Sequence, residues 1–319
     1  MPYSSAERLI RHVTLRQLQI FETVVRLQGY TRAAEALHLT QPTVSMQIRK
    51  LSEAIGVPLL EMTRQGPRAT RTGREVYEAA REILGRMRVL GEETADHQGV
   101  VAGPLKIGVI TTAKYFMPQL LGAFVNQHPA VEPRLTVTNQ RRVIERLRNH
   151  DDDLLIMGRA PDSLEVEVHP FMDNELVVVA PPDHPLAHAR HISLDQLRRE
   201  RFLVREPGSG TRQAIERLLA AHEIRITPYM ELGSSEAIKQ GVMGGLGISV
   251  LSRRSLRLEL AAGHIVILNV ESFPLIRSWN AVYPRDRHLP YAARVFLDFL
   301  MTDGPTILEG GTPRQEKSE

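Results

Sequence analysis

Residues 14–56, TLRQLQIFETVVRLQGYTRAAEALHLTQPTVSMQIRKLSEAIG, contain the pattern that decides the fold of the N-terminal region. The segment begins with a capping box, because the Thr14 hydroxyl can accept a hydrogen bond from an early helical N–H and Gln17 can reach back to Thr14. Apolar residues follow at three- and four-residue steps until Gly29. This spacing is typical of one buried helical face, so the pattern predicts an amphipathic helix that Gly29 ends.

Two further helices are predicted directly after the first. Residues 31–37 form a short Ala-rich segment whose small side chains let another helix approach closely. Thr40 is suited to cap a third helix, and Pro42 falls in its first turn, where a missing N–H costs no hydrogen bond. The inward stripe of this third helix contains four apolar residues: Val44, Ile48, Leu51 and Ile55.

The outward positions of the third helix are short, polar or basic: Gln41, Thr43, Met46, Gln47 and Lys50. Glutamine can contact adenine with two hydrogen bonds, threonine can bond phosphates or base edges, and lysine can bond guanine or phosphate. The face therefore has the chemistry to enter a DNA major groove. A three-helix unit whose polar face is only solvated is the alternative, and periodicity does not separate the two.

A basic hairpin is predicted next to these helices. Residues 57–72, VPLLEMTRQGPRATRT, place a Gly-Pro turn between two short segments that carry Arg64, Arg68 and Arg71. Residues 1–74 contain 11 Lys/Arg and 5 Asp/Glu, a net charge of +6, whereas residues 75–319 have a net charge of −3. Cations beside a helix that enters the groove are suited to anchor DNA phosphates. An incidental charged turn is the alternative.

A long helix that pairs with a second copy is predicted over residues 72–98. Thr72 and Glu75 form a second capping box, and apolar residues then step by four and three: Val76, Ala80, Ile83, Met87 and Leu90. This alternation is a heptad seam, which favours coiled-coil pairing. Burial of the seam against the chain's own domain is the alternative. A dimer of helix-turn-helix units would bind an inverted-repeat DNA site.

Residues 99–302 are predicted to form a two-lobed α/β domain. Strand-like segments alternate with helical ones from residue 105 onward, which indicates α/β units around a mainly parallel sheet. The first lobe is expected over about residues 104–174 and 284–302, and the second over about residues 180–276. The final stretch, residues 303–319, is rich in Gly, Pro and charge and is predicted to be a disordered tail.

A small-molecule site is expected in the cleft between the two lobes. Thr111 and Thr112 follow the first strand, and Arg205 precedes the Gly-rich turn PGSGT at 207–211, which opens a helix. Free N–H groups at a helix N-terminus favour an anion. Arg205 and Arg159 are the candidates that would neutralise its charge. A plain turn with an N-cap is the alternative.

Several protein classes are disfavoured by what the sequence contains. The 319 residues include no cysteine, which excludes disulfides, a thiol nucleophile and thiolate metal sites. No secretion signal or membrane span is predicted, so a cytoplasmic protein is expected. Dinucleotide-binding, P-loop, serine-hydrolase and zinc-protease motifs are missing, so no enzyme is predicted. The His184, His188 and His191 group and the acidic run 151–153 lack metal-ligand spacing.

Residues 14–73 closely resemble the DNA-binding domain of LysR-type transcriptional regulators, and the similarity extends to about residue 300. The resemblance implies an α+β multi-domain protein with a winged helix-turn-helix at residues 1–71, a linker helix at 72–98 and a periplasmic-binding-protein-like effector domain at 99–302. A homodimer through the linker helix, commonly assembled into a homotetramer, is also implied. The positions at or beside DNA, taken together with the face and hairpin above, are Thr31, Arg32, Gln41, Pro42, Thr43, Ser45, Gln47, Arg49, Lys50, Arg64 and Arg68.

The resemblance also implies an effector site. The family positions fall on Thr112, Asn139, Gln140, Arg159, Arg205, Ser209, Gly210, Thr211 and Ser234. The segments TTAKYFMPQLLGAF, FLVREPGSGTR and MELGSSEAIKQGVMGGLGISVLS look like the subgroup that regulates Calvin-cycle operons, including RuBisCO genes. That subgroup is associated with phosphorylated sugar metabolites and NADPH, so a small anionic effector and no other cofactor is expected. The segment at 277–283 departs from the more aromatic version expected there.

The expected function is a regulator that binds promoter DNA and responds to a small anionic metabolite, with RNA polymerase as a further candidate partner. A LysR-type regulator of a different metabolic operon is one alternative. A metabolite-binding or enzymatic α/β protein with a dimerising helical N-terminus is another, and turnover without salt-sensitive DNA binding would distinguish it. A nucleoid-type DNA binder without an effector is the third.

Overall fold

The computed structural model describes residues 5–64, 66–96 and 100–310, and the chain divides into two compact units, Met1–His97 and Gln98–Glu319. The elements of the N-terminal unit are α1 (Ser5–His12), α2 (Leu15–Leu27), α3 (Tyr30–Ala36), α4 (Gln41–Ile55), β1 (Leu60–Thr63), β2 (Gly66–Ala69) and α5 (Arg71–Asp96).

The helix caps of the N-terminal unit form where the sequence predicts them. The Thr14 Oγ1 accepts a hydrogen bond from the Gln17 N–H at 3.2 Å, and Gln17 Oε1 accepts from the Thr14 N–H at 2.9 Å, so the capping box is confirmed. The Thr40 Oγ1 accepts from the Thr43 N–H and starts α4. The helix that begins after Thr14, α2, ends one residue before the predicted position at Gly29. Gln28 is its C-cap, with the left-handed φ of 51°, and Gly29 is the N-cap of α3.

One hydrophobic core joins α2, α3 and α4. Phe21 and Val24 of α2 are fully buried, and Ala33 and Ala34 of α3 are buried beside them. The predicted inward stripe of α4 is confirmed for Val44, Ile48 and Leu51, whereas Ile55 at the end of the helix is half-buried. The rest of the α4 surface is thereby left outside the core.

The predicted hairpin is an antiparallel pair, β1 and β2, with Leu60 opposite Ala69 and Thr63 opposite Gly66. Gly66 has φ +115°, and a Cβ placed there would lie 2.9 Å from the Gln28 carbonyl oxygen. The turn of the hairpin therefore packs closely on the end of α2, which only glycine permits. This contact fixes the hairpin against the three-helix core.

The start of α5 differs from the prediction. The helix begins at Arg71, and the hydroxyl that caps it belongs to Thr70, whose Oγ1 accepts a hydrogen bond from the Gly73 N–H at 3.0 Å. Thr72 lies inside the first turn, so the predicted boundary there is wrong by one residue. Thr70 is selected by tertiary contacts, because its own N–H donates to the Leu59 carbonyl and its hydroxyl donates to the Pro58 carbonyl.

The heptad residues of α5 have two different environments. Val76 and Ala80 pack in the core of the N-terminal unit, as the alternative interpretation expects. Ile83 and Met87 are 42% and 46% exposed, and Leu90 is half exposed. The later residues of the heptad stripe, Ile83, Met87 and Leu90, are therefore exposed to solvent on this chain.

The C-terminal unit contains the remaining elements. In lobe I they are β3 (Ala102–Ile110), a 3-10 helix (Thr111–Tyr115), α6 (Met117–Gln127), β4 (Ala130–Thr138), α7 (Gln140–Arg148), β5 (Leu154–Met157), α12 (Tyr291–Thr302) and α13 (Gly304–Leu308). In lobe II they are α8 (Leu194–Leu197), β7 (Phe202–Arg205), α9 (Gly210–Ala221), β8 (Pro228–Leu232), α10 (Ser235–Met243), β9 (Ser249–Ser252), a 3-10 helix (Arg253–Leu256), α11 (Arg257–Ala261) and β10 (Val266–Ile267). Two long strands serve both lobes: β6 (Val166–Ala180) and β11 (Leu275–Pro284).

The main sheet is mixed, so the prediction of a mainly parallel sheet is wrong. Its strand order is β10-β6-β11-β5-β3-β4, with β9 also paired to β6. A separate two-stranded sheet pairs β7 with β8 in parallel. Within the main sheet β3 pairs in parallel with β4 and with β5, while β6 and β11 run antiparallel over ten residue pairs. The physical reason is that the chain enters lobe II along β6 and returns to lobe I along β11. Strands of opposite direction must then lie side by side.

Each lobe has its own core. Lobe I packs Phe116, Phe124 and Trp279 with α12, and the Phe116 and Trp279 rings meet edge to face at 4.9 Å. In lobe II, alternate residues of β6 enter two separate clusters: Val178 lies in one and Val177 in the other. This alternation shows that β6 is buried on both faces there.

The C-terminal helices correct the predicted tail. Residues 304–308 form α13, and the side chain of Ile307 is buried in the lobe I core. Order therefore continues beyond residue 303, and residues 311–319 of the predicted tail lie outside the described part of the chain. Among the described helices, none combines the length and the apolar character that a membrane span requires.

Candidate DNA-binding face and effector cleft

The outward face of α4 presents the predicted polar side chains. Gln41, Pro42, Ser45 and Lys50 are exposed, and Thr43 and Gln47 are half-buried. The Thr43 hydroxyl lies 2.8 Å from the Thr40 hydroxyl, so part of its hydrogen-bonding capacity is used inside the cap. The exposed side chains of Gln41, Ser45 and Lys50 lie on the surface of α4 outside the core.

Three other predicted contact residues lie near this face with local partners. Arg49 is exposed and pairs with Glu53 one turn along α4 at 2.9 Å, a surface ion pair that a phosphate can replace at little cost. Thr31 is exposed in the first turn of α3. The Arg32 Nη2 donates to the Gln28 carbonyl at 2.8 Å, so this guanidinium also closes the end of α2.

The hairpin carries the other two predicted cations. Arg64 follows β1 at the turn and Arg68 lies in β2, and both side chains are exposed. Arg68 is directly opposite Glu61 in the antiparallel register. The hairpin thus presents positive charge at its turn and on one strand, as a wing that binds phosphates requires.

The predicted effector residues come from the ends of elements in both lobes. Lobe I contributes Thr112 in the 3-10 helix after β3, and Asn139 and Gln140 at the start of α7. Lobe II contributes Arg205 at the end of β7 and the first turn of α9, residues 209–211. Ligands in α/β folds bind at the carboxyl ends of strands, and both sets lie at such ends.

Arg205 joins the two lobes. In lobe II its Nη1 donates to the Ser235 Oγ at 2.7 Å, and its Nη2 donates to the Thr111 Oγ1 of lobe I at 3.2 Å. Two further N–H groups donate to the Glu206 carboxylate at 2.7 and 2.9 Å. The side chain is only 3% exposed, so its charge is balanced by Glu206 inside the protein.

Three predicted effector residues act as helix caps. The side chains of Asn139, Ser209 and Ser234 accept hydrogen bonds from N–H groups in the first turns of α7, α9 and α10, respectively. Their side-chain oxygens are therefore partly occupied by the backbone. The caps hold three helix N-termini in place, and helix N-termini favour anions.

Gln140 and Gly210 bring the two lobes into close contact. A Cβ placed at Gly210 would lie 2.8 Å from the Gln140 Oε1, so the amide end of this side chain lies directly against the start of α9. The Gln140 Nε2 donates to the Arg159 carbonyl at 2.9 Å, whereas its buried Oε1 has no hydrogen-bond partner among the described residues. The Arg159 side chain is half exposed and pairs with Asp162 at 2.7 Å.

A third interlobe contact, formed by Tyr115, Glu236 and Lys239, is not predicted from the sequence. The Tyr115 hydroxyl of lobe I donates to the Glu236 carboxylate of α10 at 3.0 Å, and Lys239 pairs with Glu236 and Glu259 at 2.9 and 2.5 Å. The Lys239 ammonium also lies 4.8 Å from the centroid of the Tyr115 ring. The i, i+3 spacing of Glu236 and Lys239 indicates only a local pair, and nothing in the sequence places Tyr115 beside them.

This contact shifts the pKa of each member. Burial raises the pKa of Tyr115 to about 12. The hydrogen bond from Lys239 lowers the pKa of Glu236 to about 2, although burial opposes this change. Burial lowers the pKa of Lys239, but Glu259 and Glu236 more than offset it, so the net direction is upward. All three groups therefore keep their protonation states throughout the neutral range.

We expect the stability contributed by Glu236 to be lost only in acid. Because the folded-state pKa lies below the ordinary value, the contribution is fully present above about pH 4.5 and disappears as the pH falls towards about 2. Glu236→Gln should lower the melting temperature by about 2 °C at pH 7, with a smaller difference at pH 3.5. Thermal unfolding of both proteins from pH 3.5 to 8 measures this. A difference that grows as the pH falls would contradict it.

Arg277 is a second residue that the sequence does not identify as part of the site. It lies in β11, and its Nη1 donates to the Gly210 carbonyl at 3.1 Å. A Cβ placed at Gly158 would lie 2.7 Å from the Arg277 Nη2. Desolvation, together with the charges of Arg217 and Arg159, lowers the pKa of Arg277 to about 10.

Two residues of the acidic run and one of the three histidines have structural partners. Asp152 accepts two hydrogen bonds from Arg146, and Asp153 accepts from the Lys106 N–H and from Arg287. The His184 Nε2 lies 3.5 Å from the Glu200 carboxylate. Within the described ranges, no three His, Asp or Glu side chains cluster as a metal site would require.

Family comparisons agree with this division of the chain. Residues 15–74 match the family model described as "Bacterial regulatory helix-turn-helix protein, lysR family". Residues 98–304 match the model of the "LysR substrate binding domain".

Several full-length relatives are similar over nearly the whole chain. The "RuBisCO operon transcriptional regulator" of Acidithiobacillus ferrooxidans is 44% identical over 304 residues, covering 93% of this chain and 98% of the relative. The "HTH-type transcriptional activator CmpR" of Synechocystis is 42% identical over 298 residues, with 93% and 98% coverage.

Solved structures show the same folds. The regulatory domain of Synechocystis CcmR in complex with 2-PG is 44% identical, with a TM-score of 0.61, and covers 62% of this chain and 96% of its own. A full-length OxyR variant from Pseudomonas aeruginosa superposes with a TM-score of 0.77 at 24% identity, covering 96% of this chain and 99% of its own. The winged helix-turn-helix and the two-lobed domain are thus confirmed, and the chain belongs to the LysR family of bacterial regulatory helix-turn-helix proteins.

Proposed function

We propose that the protein is a transcriptional regulator of carbon-fixation genes, including those of RuBisCO, and that a small anionic metabolite in the interlobe cleft modulates its binding to promoter DNA. The observation that carries the proposal is the end-to-end identity of 44% to a relative named as a RuBisCO operon regulator. The polar face of α4 and the charged cleft supply the chemistry for the two binding events. The protein catalyses no reaction in this scheme.

DNA binding is proposed to be dimeric. The exposed stripe of Ile83, Met87 and Leu90 on α5 is suited to pair with the same stripe of a second copy. The two DNA-binding units of the dimer would then contact an inverted repeat, with α4 in the major groove and the hairpin arginines on phosphates. Two such dimers are proposed to form a tetramer on the promoter, where RNA polymerase is the further partner.

The effector is proposed to be a phosphorylated sugar metabolite or NADPH. The regulatory domain of CcmR, which is 44% identical and covers 62% of this chain, was solved in complex with 2-PG. This supports a small anionic ligand for the effector domain of this chain. The helix N-termini at residues 139, 209 and 234 and the arginines of the cleft favour negative charge. The ligand changes DNA binding by favouring one arrangement of the lobes, with an expected coupling of about 1–3 kcal/mol.

The proposal is tested with the full chain and DNA from the promoter of RuBisCO genes. Mobility shifts at several salt concentrations should give a specific complex that weakens steeply with salt, and footprints should change when 2-PG is added. Binding to the promoter of another operon with equal affinity would contradict the proposed target. Turnover of a small molecule without salt-sensitive DNA binding would identify the protein as an enzyme.

Gln41 and Arg68 are expected to have different effects on DNA binding. Gln41→Ala should reduce the preference for the operator over mutated sites by about tenfold, because a bidentate base contact contributes about 1–3 kcal/mol of discrimination. Arg68→Ala should weaken binding to all sequences and reduce the dependence on salt.

Mobility shifts on matched and mutated operators measure both effects. Arg257→Ala removes an equal charge from an exposed position of α11 in the C-terminal unit and should leave both quantities unchanged. Retention of full preference by the Gln41 variant, or of the full salt dependence by the Arg68 variant, would refute the corresponding contact.

A further inference from the structure

Arg277 and Arg205 differ in how their charges are satisfied. Arg205 uses four hydrogen bonds, two of them to the Glu206 carboxylate. Arg277 makes one hydrogen bond, to the Gly210 carbonyl, and no carboxylate forms an ion pair with it in the ranges that the structure describes. A guanidinium has five N–H donors, so most of those of Arg277 are available to another acceptor.

The surroundings of Arg277 are positive rather than neutralising. Arg217 and Arg159 are the charged groups that act on it, and both disfavour its charged form, as does desolvation. The Asp162 carboxylate, 2.7 Å from Arg159, offsets one of these charges, and the charge of Arg217 still disfavours the charged form of Arg277. A desolvated cation beside other cations costs folding free energy, and such a cost is offset when an anion binds.

A second group without a hydrogen-bond partner in the described ranges, the Gln140 Oε1, lies against Gly210, the residue to which Arg277 donates. Gly210 contacts both the Arg277 guanidinium, through its carbonyl, and the Gln140 amide, whose Oε1 is buried without a partner among the described residues. Gln140 is 7% exposed. Gly210 also begins the 12-residue helix α9, whose first N–H groups have no intrahelical partner. Unused donors and an unused acceptor therefore converge at one point between the lobes.

We propose that Arg277, rather than Arg205, binds the anionic group of the effector, at the point between the lobes where Gly210 lies against the buried Gln140 Oε1. The inference rests on the proposed effector function of the cleft. It assigns the ligand class as an oxyanion, and it makes Arg205 a positioning residue that holds Thr111 and Ser235 together across the lobes.

Two variants test the role of the guanidinium separately from protein folding. Arg277→Gln removes the charge, and we expect it to lower the affinity for 2-PG about 15-fold, because a hydrogen bond to a charged group is lost. Gly158→Ala keeps the charge, but its methyl group would displace the flexible end of Arg277, so it should lower the affinity by a similar factor. Arg277→Gln should also raise the melting temperature of the ligand-free protein, because it relieves an unpaired charge.

The measurement is calorimetric titration of the full chain with 2-PG and with inorganic phosphate. The matched control is Arg285→Gln, which removes an equal charge from an exposed side chain directly after β11 and should bind as the unaltered protein does. If Arg277→Gln and Gly158→Ala bind as tightly as the control, the inference is overturned while the effector function stands. If the unaltered protein binds neither probe, the proposed effector function itself fails, and the inference fails with it.

Discussion

Ile83→Asp is expected to convert the protein from a dimer to a monomer and to lower its affinity for an inverted-repeat operator by about 100-fold or more. Ile83 is 42% exposed on α5, whereas the next residue, Leu84, packs against the core of the N-terminal unit. In a paired helix this position would be buried, and a buried unpaired carboxylate costs several kcal/mol. Because about 1.4 kcal/mol corresponds to a tenfold change in affinity, this cost is enough to separate the two helices. A monomer also loses the gain in affinity that two linked half-site contacts provide.

Gly85→Asp is the matched control for this prediction. It adds the same charge two residues along α5, about 200° around the helix, and a Cβ at Gly85 meets no atom within 4 Å. Sedimentation and mobility shifts on the same operator compare the two variants. We expect the Gly85 variant to remain dimeric and to bind DNA normally. A dimeric Ile83 variant with unchanged operator affinity would show that α5 does not form the dimer seam.

Arg205→Met is expected to lower the free energy of unfolding of the C-terminal unit by about 3–5 kcal/mol. The substitution leaves the Glu206 carboxylate without its ion-pair partner and removes the hydrogen bonds to Ser235 and Thr111. Loss of one member of such a pair is costly because the Glu206 carboxylate that remains is 19% exposed and stays largely desolvated. For a unit of this size the melting temperature should fall by about 10 °C.

Arg253→Met is the control, because it breaks an arginine–glutamate pair on the surface. Arg253 lies 3.0 Å from Glu175, and the two side chains are 58% and 37% exposed. An exposed pair contributes at most about 1 kcal/mol, so this variant should melt close to the unaltered protein. Chemical denaturation of both variants measures the difference. Equal losses for Arg205→Met and Arg253→Met would contradict the structural role of the buried pair.

A double substitution separates stability from the response to the effector. Arg205→Met combined with Glu206→Leu removes both charges, and the replacement of a buried pair by apolar residues is often neutral. We expect most of the lost stability to return. The change in operator binding on addition of 2-PG should still be lost, because the bond between Arg205 and Thr111 that joins the lobes is missing. A full response in the double variant would exclude this bond from the regulatory change.

The parts of the fold that the sequence predicts well depend on neighbours a few residues apart. The caps at Thr14 and Thr40 form with residues three positions along the chain, and the stripe of Val44, Ile48 and Leu51 follows from helical periodicity. The hairpin is predicted for the same reason, since its turn lies within a ten-residue segment. Local geometry decides all of these features before the rest of the chain is considered.

The errors occur where distant contacts choose between local possibilities. Thr70 and Thr72 can both cap a helix, and the Leu59 and Pro58 carbonyls select Thr70. The first half of β6 contains Pro170, a residue unusual inside a sheet, and the sequence therefore does not predict a strand there. The structure accommodates it through a register shift opposite Trp279 and Asn280. Pairing with β11, more than 100 residues later, decides that this segment is a strand.

The sequence by itself determined the helix-turn-helix, the basic hairpin, the heptad stripe and the presence of two α/β lobes, because periodicity, capping and charge distribution are local properties of the chain. Only the tertiary structure decided which arginine of the cleft has an unmatched charge. Glu206 neutralises Arg205, whereas Arg277 is carried by the returning strand β11 to Gly210 and Gly158, where no carboxylate pairs with it among the described residues. Glu206 is the next residue after Arg205, but the surroundings of Arg277 consist of residues remote in sequence, and their distances to its guanidinium exist only after the chain has folded.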